Sequence, residues 1–288
     1  MPNPSNHILV TGSAGQLGSE LRDIAPAHSA YRFFFVTRDE LSIGDDKTVA
    51  AYFREHSIDC CINCAAYTAV DKAKTETDLA FAINAEAVGK LAAICKAQNS
   101  RFIHISTDYV FDGTSTVTYK EDDPVCPINA YGASKLKGEE LAFEHDPQST
   151  IIRTSWVYSS YGNNFVKTMM RLMKERESIN VVNDQWGCPT YAADLAGIIM
   201  KLVEDPTSSS KIFNYCNEGA VTWYDFAVAI KEMTGSNCQV NPIPSSAYPT
   251  PSKRPHYSVL DTTRIKQELN IQIPGWKESL EKCLARMK

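Results

Sequence analysis

No stretch of the 288-residue chain approaches the roughly 20 consecutive apolar residues of a membrane-spanning helix, so no span is expected. Basic runs are missing too. With 29 Lys and Arg against 34 Asp and Glu, interspersed to a formal net charge of -5, the chain has no electrostatic footprint for nucleic acid or a membrane surface. A small solute is the expected partner. The opening MPNPSNHILVTG has no basic segment and reaches a glycine turn after a short apolar run, too brief for an export leader, which points to the cytoplasm. Internal repeats, low-complexity segments and a flexible linker are likewise absent, so any two lobes are expected to share an interface.

What is present is an ordinary globular composition, 43% hydrophobic and 22% charged with 14 Gly and 14 Pro, at a length suited to one large α/β domain with a smaller lobe. Nine cysteines, an odd number without a leader, are expected as reduced thiols. Cys60, Cys61 and Cys64 fall in the apolar run IDCCINCAAY, where strand alternation puts Cys60 and Cys64 on one face and Cys61 on the other. No second Cys/His cluster follows at zinc-site spacing, so these read as core thiols and no metal site is expected.

Short β-branched runs alternate with helical patterns, the signature of βαβ units and a Rossmann-type doubly wound parallel sheet. HILVTG reads as the first strand, followed by a helix over 18–24, YRFFFVT as the second strand, a helix over 47–56 and a third strand over 58–65. DLAFAINAEAVGKLAAICKAQ reads as one long helix and RFIHIST as the fourth strand. A Thr-, Asp- and Pro-rich loop over 112–127 leads to a helix opened near Asn129 or Tyr131, and TIIRTSWVY supplies a further strand. Beyond Tyr158 the pattern becomes less regular, as expected of a smaller lobe on the carboxyl side of the sheet.

VTGSAGQLGSEL sets Gly12, Gly15 and Gly18, with Gln16 and Leu17 between them, where a strand passes into a helix. Glycines so placed permit a tight turn and close backbone approach to a dinucleotide pyrophosphate. At the tip of the second strand an acid would favour the ribose hydroxyl of NAD, whereas a base accommodates the 2′-phosphate of NADP. VTRDEL offers both Arg38 and Asp39; Arg38 tips the expectation to NADPH, with NADH the alternative.

Tyr131 and Lys135, in AYGASKLKGEE, lie four apart and share a helix face. A carbonyl reduced by hydride needs a proton, and a tyrosine supplies one near neutral pH when a cation stabilises its phenolate, the role expected of Lys135. The upstream strand ends in Ser106 and Thr107, whose hydroxyls can polarise the carbonyl, Thr107 being the first choice. The glycine turn, the hydroxyl pair and Tyr-x-x-x-Lys arrive in the order of one site.

TGSAGQLGSEL, AAYTAVDKAKTE, NAEAVGKLAA, STDYVFDGT, AYGASKLKGEE, RTSWVY, NNFVKTM, DQWGCPTYAADLA and SVLDTTRI together resemble the dTDP-4-dehydrorhamnose reductase family of the extended short-chain dehydrogenase/reductase group. The resemblance runs from Ile8 to about Trp276. It implies reduction of the C4 ketone of dTDP-4-dehydro-6-deoxy-L-mannose to dTDP-L-rhamnose, with Thr107, Tyr131 and Lys135 as the triad. It implies a Rossmann domain over 1–158 and 187–217, and a nucleotide-sugar lobe over 159–186 and 218–288. Ala65, Ala66 and Tyr67 resemble the loop along the cofactor. Thr68 follows them on the substrate side. Tyr109 and Trp156 resemble sugar contacts, and Asn164, Gln185, Pro189, Thr190 and Arg254 lie in segments resembling the nucleotide-sugar cleft. A monomer or homodimer is the implied assembly.

Two departures stand out. Ser42 in LSIGDD replaces an Asp usual in the family, a role that Asp45 is expected to take over in part. Some members hold magnesium between acids at a dimer interface; Glu20 matches one acid, but Arg286 stands where another would be needed, so no metal is expected. The rival activities are an epimerase, dehydratase or reductase of another nucleotide sugar. Tyr109 after Asp108 argues against dehydration. A binding protein resembling the regulatory subunit of methionine adenosyltransferase is disfavoured by the intact Thr107, Tyr131 and Lys135.

Overall fold

The computed structural model describes residues 6–205 and 211–287. Its centre is a six-stranded sheet of β1 (His7–Thr11), β2 (Arg32–Val36), β3 (Cys60–Asn63), β4 (Arg101–Thr107), β5 (Thr150–Thr154) and an edge strand, Ile212–Tyr215. From that edge the order runs through β5, β4, β3 and β1 to β2, with every pair parallel. Winding reverses between β1 and β3, which opens a crevice at their carboxyl ends.

The strands are apolar on both faces because helices cover both. On one face Ile8, Val10, Cys60, Ile62, Ile103 and Ile152 pack against α1 (Gln16–Ile24), through Leu17 and Leu21, and against the later helix Ala192–Glu204. On the other, Leu9, Cys61, Phe102 and Ile151 meet Val49 and Phe53 of α2 (Asp46–His56). They also meet residues of the long helical segment that follows β3. Cys60 and Cys61 therefore enter opposite cores, Cys64 packs with the first, and all nine cysteines are free thiols.

The long helix read over DLAFAINAEAV is broken into α3 (Thr77–Phe81), a π-helical turn Ala82–Glu86 and α4 (Ala87–Ala97). The wide turn contains Asn84, whose amide accepts from Tyr67 N at 2.8 Å and donates to Tyr67 O at 3.0 Å, fixing the loop after β3. Asn84 also donates to Ser134 Oγ at 3.0 Å on α5 (Ala130–His145), which is capped by Asn129 as expected.

Two other expectations change. α1 begins at Gln16, earlier than the helix expected from Gly18, because Gly15 serves as its cap. TIIRTSWVY is no continuous strand: β5 ends at Thr154, Trp156 adopts a φ of 48°, and Val157–Tyr158 pairs with Thr190–Tyr191 in a separate ribbon. Downstream the chain is more regular than expected. Val166, Met169 and Met173 of α6 (Phe165–Glu175), spaced along one helical stripe, share a second apolar cluster with other late helices. Phe226 and Ile230 come from the helix Trp223–Thr234, and Leu280 and Cys283 from the C-terminal helix Trp276–Ala285. Helix Ala192–Glu204, numbered α7, and Trp223–Thr234, numbered α8, complete the segment between these elements.

Candidate active site

A cavity of about 920 Å³ opens over the carboxyl ends of β1, β3, β4 and β5. Its first wall is the glycine turn. Gly12 has a φ of 63°, and a Cβ there would come within 2.6 Å of Ala65 N, so strand β3 and the turn approach as closely as backbone allows. Gly18 lies under the turn, outside the cavity lining, where a Cβ would meet Gly12 O at 2.6 Å. Gly15 caps α1 without a side chain, leaving the first-turn amides of a nine-residue helix to a ligand. Gly12→Ala is expected to cost about 1–2 kcal/mol from the left-handed backbone plus displacement of the Ala65 loop. A thermal melt and a nicotinamide-dinucleotide titration should both show the loss; unchanged dinucleotide binding would remove the turn from the site.

The next wall follows β2. Arg38 and Ser42 line the cavity, whereas Asp39 is exposed beside it. Glu40 accepts from Thr37 N at 2.8 Å and Thr37 Oγ1 at 2.9 Å, which lowers its pKa. Asp45 stands outside the cavity lining and caps α2, accepting from Thr48 N at 3.2 Å and Thr48 Oγ1 at 2.6 Å. Ala65, Ala66, Tyr67 and Thr68 line the cavity after β3.

Thr107, Tyr131 and Lys135 meet in the same cavity. Thr107 Oγ1 donates to Asp108 Oδ1 at 3.0 Å and accepts from Tyr109 N at 3.2 Å, and it lies close enough to Tyr131 to act on its phenol. Burial pushes the Tyr131 phenol up to about 12, the neighbouring Thr107 hydroxyl pulls it down, and Asp108 raises it. Lys135 itself is buried, with Nζ donating to Ile105 O at 2.6 Å and lying 3.2 Å from His104 Nε2. Burial lowers it to about 8 against the opposing pull of Glu139 and Cys64.

Ser106 is committed elsewhere, its hydroxyl donating to Glu139 in a buried pair with Arg153. Asp108, weighed in the sequence only against dehydration, is buried and pushed up to about 7, mainly by that burial and against the hydrogen bond from Thr107, with Oδ2 left without a hydrogen-bond partner among the described residues. No sequence period marks it.

Tyr109 meets Tyr131 edge-on, with centroids 5.7 Å apart, and lines the cavity. Trp156 lines it too, stacked on Trp223 at 3.4 Å between centroids. Trp223 had no signal in the sequence because it comes from a remote helix start. The other cleft residues expected from the resemblance stand outside the lining. Asn164 caps α6 and donates to Gln16 Oε1 at 2.9 Å, so it orients a cavity residue. Thr190 Oγ1 is buried and accepts from Thr154 at 3.1 Å, Pro189 O accepts from Asn217 N at 3.3 Å, and Gln185 is half-buried. Arg254 pairs with Asp71 at 2.8 Å, close enough to Tyr109 to lower its pKa against the larger effect of burial.

Among the described residues no three His, Cys, Asp or Glu side chains are grouped to hold a metal. Buried Glu20 accepts from Ser159 Oγ at 2.6 Å and pairs with Arg286 Nη1 at 2.6 Å, and Arg286 also reaches Asp23 and Tyr191. Arg286 thus supplies the positive charge against Glu20.

The family model described as the RmlD substrate binding domain matches residues 6–288. A dTDP-4-dehydrorhamnose reductase of Aggregatibacter actinomycetemcomitans is 39% identical over 288 residues, covering 96% of this chain and 98% of that one. Among solved structures, a dTDP-4-dehydrorhamnose reductase of Clostridium acetobutylicum has a TM-score of 0.94 at 38% identity, covering 98% of this chain and 99% of that one. The same enzyme of Bacillus anthracis, in complex with NADP, also gives a TM-score of 0.94 at 38% identity, with the same coverage.

Proposed function

The chain belongs to the dTDP-4-dehydrorhamnose reductase family, and from that premise we propose that it reduces the C4 ketone of dTDP-4-dehydro-6-deoxy-L-mannose, yielding dTDP-L-rhamnose. The observation that carries this is the convergence of the glycine turn and the Thr107, Tyr131 and Lys135 side chains in one cavity. The cradle fits a dinucleotide, because Gly12 lets the backbone approach where any Cβ would collide and Gly15 leaves a helix start uncapped by a side chain. When bound, the reduced nicotinamide supplies the hydride.

Every other part falls to the chain. Gly12, Gly15, Gln16 and Leu17 hold the pyrophosphate region, and Ala65, Ala66 and Tyr67 flank the dinucleotide. Gly18 supports the turn from beneath. Tyr131 delivers the proton to the C4 oxygen, Thr107 orients that phenol, and Lys135 sits one helical turn beyond it. Tyr109, Trp156 and Thr68 form the sugar side, while Asn164, Gln185, Pro189, Thr190 and Arg254 support the nucleotide end from behind the wall. The free thiols fit the reducing cytoplasm, and a monomer or homodimer is the assembly proposed.

Arg38, exposed at the cavity edge, is the residue proposed to favour NADPH over NADH. The test mixes the protein with the keto sugar and either reduced cofactor and follows nicotinamide absorbance. Consumption is expected with NADPH. Arg38→Ser should raise the KM for NADPH about tenfold, the loss of one charge-assisted hydrogen bond, with the NADH value nearly unchanged. Consumption only with a different nucleotide sugar would reassign the substrate, and an NADPH KM left unchanged in the variant would remove Arg38 from cofactor choice.

A further inference from the structure

Behind the cavity a row of polar side chains crosses three strands. Thr11 of β1 is in register with Asn63 of β3, and Asn63 with His104 of β4. Register neighbours in a parallel sheet emerge on the same face. All three are buried in the interior.

The hydrogens of this row follow from the one donor that cannot turn. The backbone N–H of Ala65 points at Asn63 Oδ1 at 3.3 Å, so that end of the amide is the oxygen; it also accepts from Thr11 Oγ1 at 2.6 Å. The other end is Nδ2, an obligatory donor, 2.9 Å from His104 Nδ1. Nδ1 therefore accepts, and the single proton of the ring sits on Nε2. An imidazolium is excluded by the same contact, in keeping with burial pushing His104 well below the ordinary histidine range. The Nε2–H then faces Lys135 Nζ at 3.2 Å. An ammonium there would set donor against donor, whereas a neutral amine offers a lone pair. The bond from Nζ to Ile105 O, at 2.6 Å, is a donation that either form makes.

We propose that His104 is a positioning residue for Lys135: held in one tautomer by Asn63 and Thr11, it presents a fixed N–H to Nζ and favours the amine that has released its proton. This rests on the reading of Tyr131 as proton donor. In the balance, hydride adds to C4, the Tyr131 O–H bond breaks as its proton passes to the C4 oxygen, and a proton released by the Lys135 ammonium reaches the phenolate through solvent. The lone pair left on Nζ is met by His104 Nε2–H, and solvent returns the proton. The other titratable groups around Lys135 are Glu139 on its own helix and Cys64 after β3, both favouring the ammonium, with Tyr131 one turn away. The π-helical turn packed on α5 presents neutral Asn84, α4 approaches α5 at Leu141 and His145, and Asp108 after β4 acts on Tyr131.

The test reads the protein alone first. In ¹⁵N NMR of the imidazole, His104 should show a bare Nδ1 and a protonated Nε2; the opposite tautomer, or an imidazolium near neutral pH, overturns the proposal. The ¹³Cε shift of Lys135 should titrate near 8, and His104→Phe should move that midpoint upward by about one pH unit or more. Asn63→Asp, whose carboxylate demands a proton on Nδ1 and turns Nε2 into an acceptor, should move it the same way, and it decides if the phenylalanine variant does not fold. Because reduction consumes a proton, turnover falls as pH rises through this midpoint, so the alkaline limb of kcat should shift upward with it. A midpoint unmoved in folded variants sinks the proposal. No turnover by the unaltered protein would instead end the reductase reading, and the NMR titration would still judge His104.

Discussion

Tyr131→Phe lowers turnover by about 10²–10⁴-fold, the range removed with a positioned general acid, while dinucleotide affinity stays within a factor of about two. The expectation follows from what surrounds the phenol. Its hydroxyl is buried beside Thr107, and burial holds its proton, with the pKa pushed up to about 12. Phenylalanine keeps the ring edge-on to Tyr109, at the 5.7 Å centroid distance, so the wall of the cavity survives. The glycine turn is built from β1 and α1 and does not touch the substitution. Single-turnover absorbance measurements with NADPH and the keto sugar, beside a fluorescence titration of the cofactor, separate the two effects. Near-normal turnover would remove Tyr131 from proton transfer, and a large loss of cofactor affinity would recast it as a structural residue.

Arg153→Met should destabilise the chain by about 3–5 kcal/mol, the cost of stranding one partner of a buried ion pair. Arg153 and Glu139 have side chains only 4% and 3% exposed, with Nη2 to Oε2 at 2.6 Å. Arg153 also donates from Nε to Glu139 Oε1 at 3.0 Å and from Nη1 to Glu121 O at 3.0 Å. Without the guanidinium, the carboxylate of Glu139 retains Ser106 as its hydroxyl donor in a dry interior. Such a loss is a large share of the roughly 5–15 kcal/mol that holds a typical domain together. Urea unfolding measures it directly. Replacing both residues, Arg153→Met with Glu139→Leu, should recover most of the stability, because no charge is then left buried alone. A single variant that unfolds at the normal urea concentration would show that the pair contributes little. The pair joins Ser106 at the end of β4 to the helix that carries Tyr131 and Lys135, so its loss should also disturb the site.

Much of the site was legible because its parts are local. A glycine turn between a strand and a helix announces itself within one segment, and Tyr131 with Lys135 is a single helical turn. The alternation that sends Cys60 and Cys61 into opposite cores is likewise a property of one strand. Boundaries were less legible. The apolar pattern of TIIRTSWVY continues past the point where Trp156 turns out of the sheet, because stacking on Trp223 is invisible to strand periodicity. The π-helical turn within the 77–97 segment is equally hidden, since the contacts of Asn84 with Tyr67 and Ser134 lie across elements.

By itself, then, the sequence determined the doubly wound sheet, the phosphate turn and the tyrosine–lysine pair, all of which rest on spacing along one strand or helix. Only the tertiary structure decided what surrounds them: that Ser106 serves Glu139 while Thr107 donates to Asp108 beside the phenol, that Asp45 caps a helix, and that Asn63 and His104 stand behind Lys135. The reason is physical. Protonation and orientation of a buried group depend on which donors and acceptors meet it through space, and strand order brings together residues that no local pattern connects.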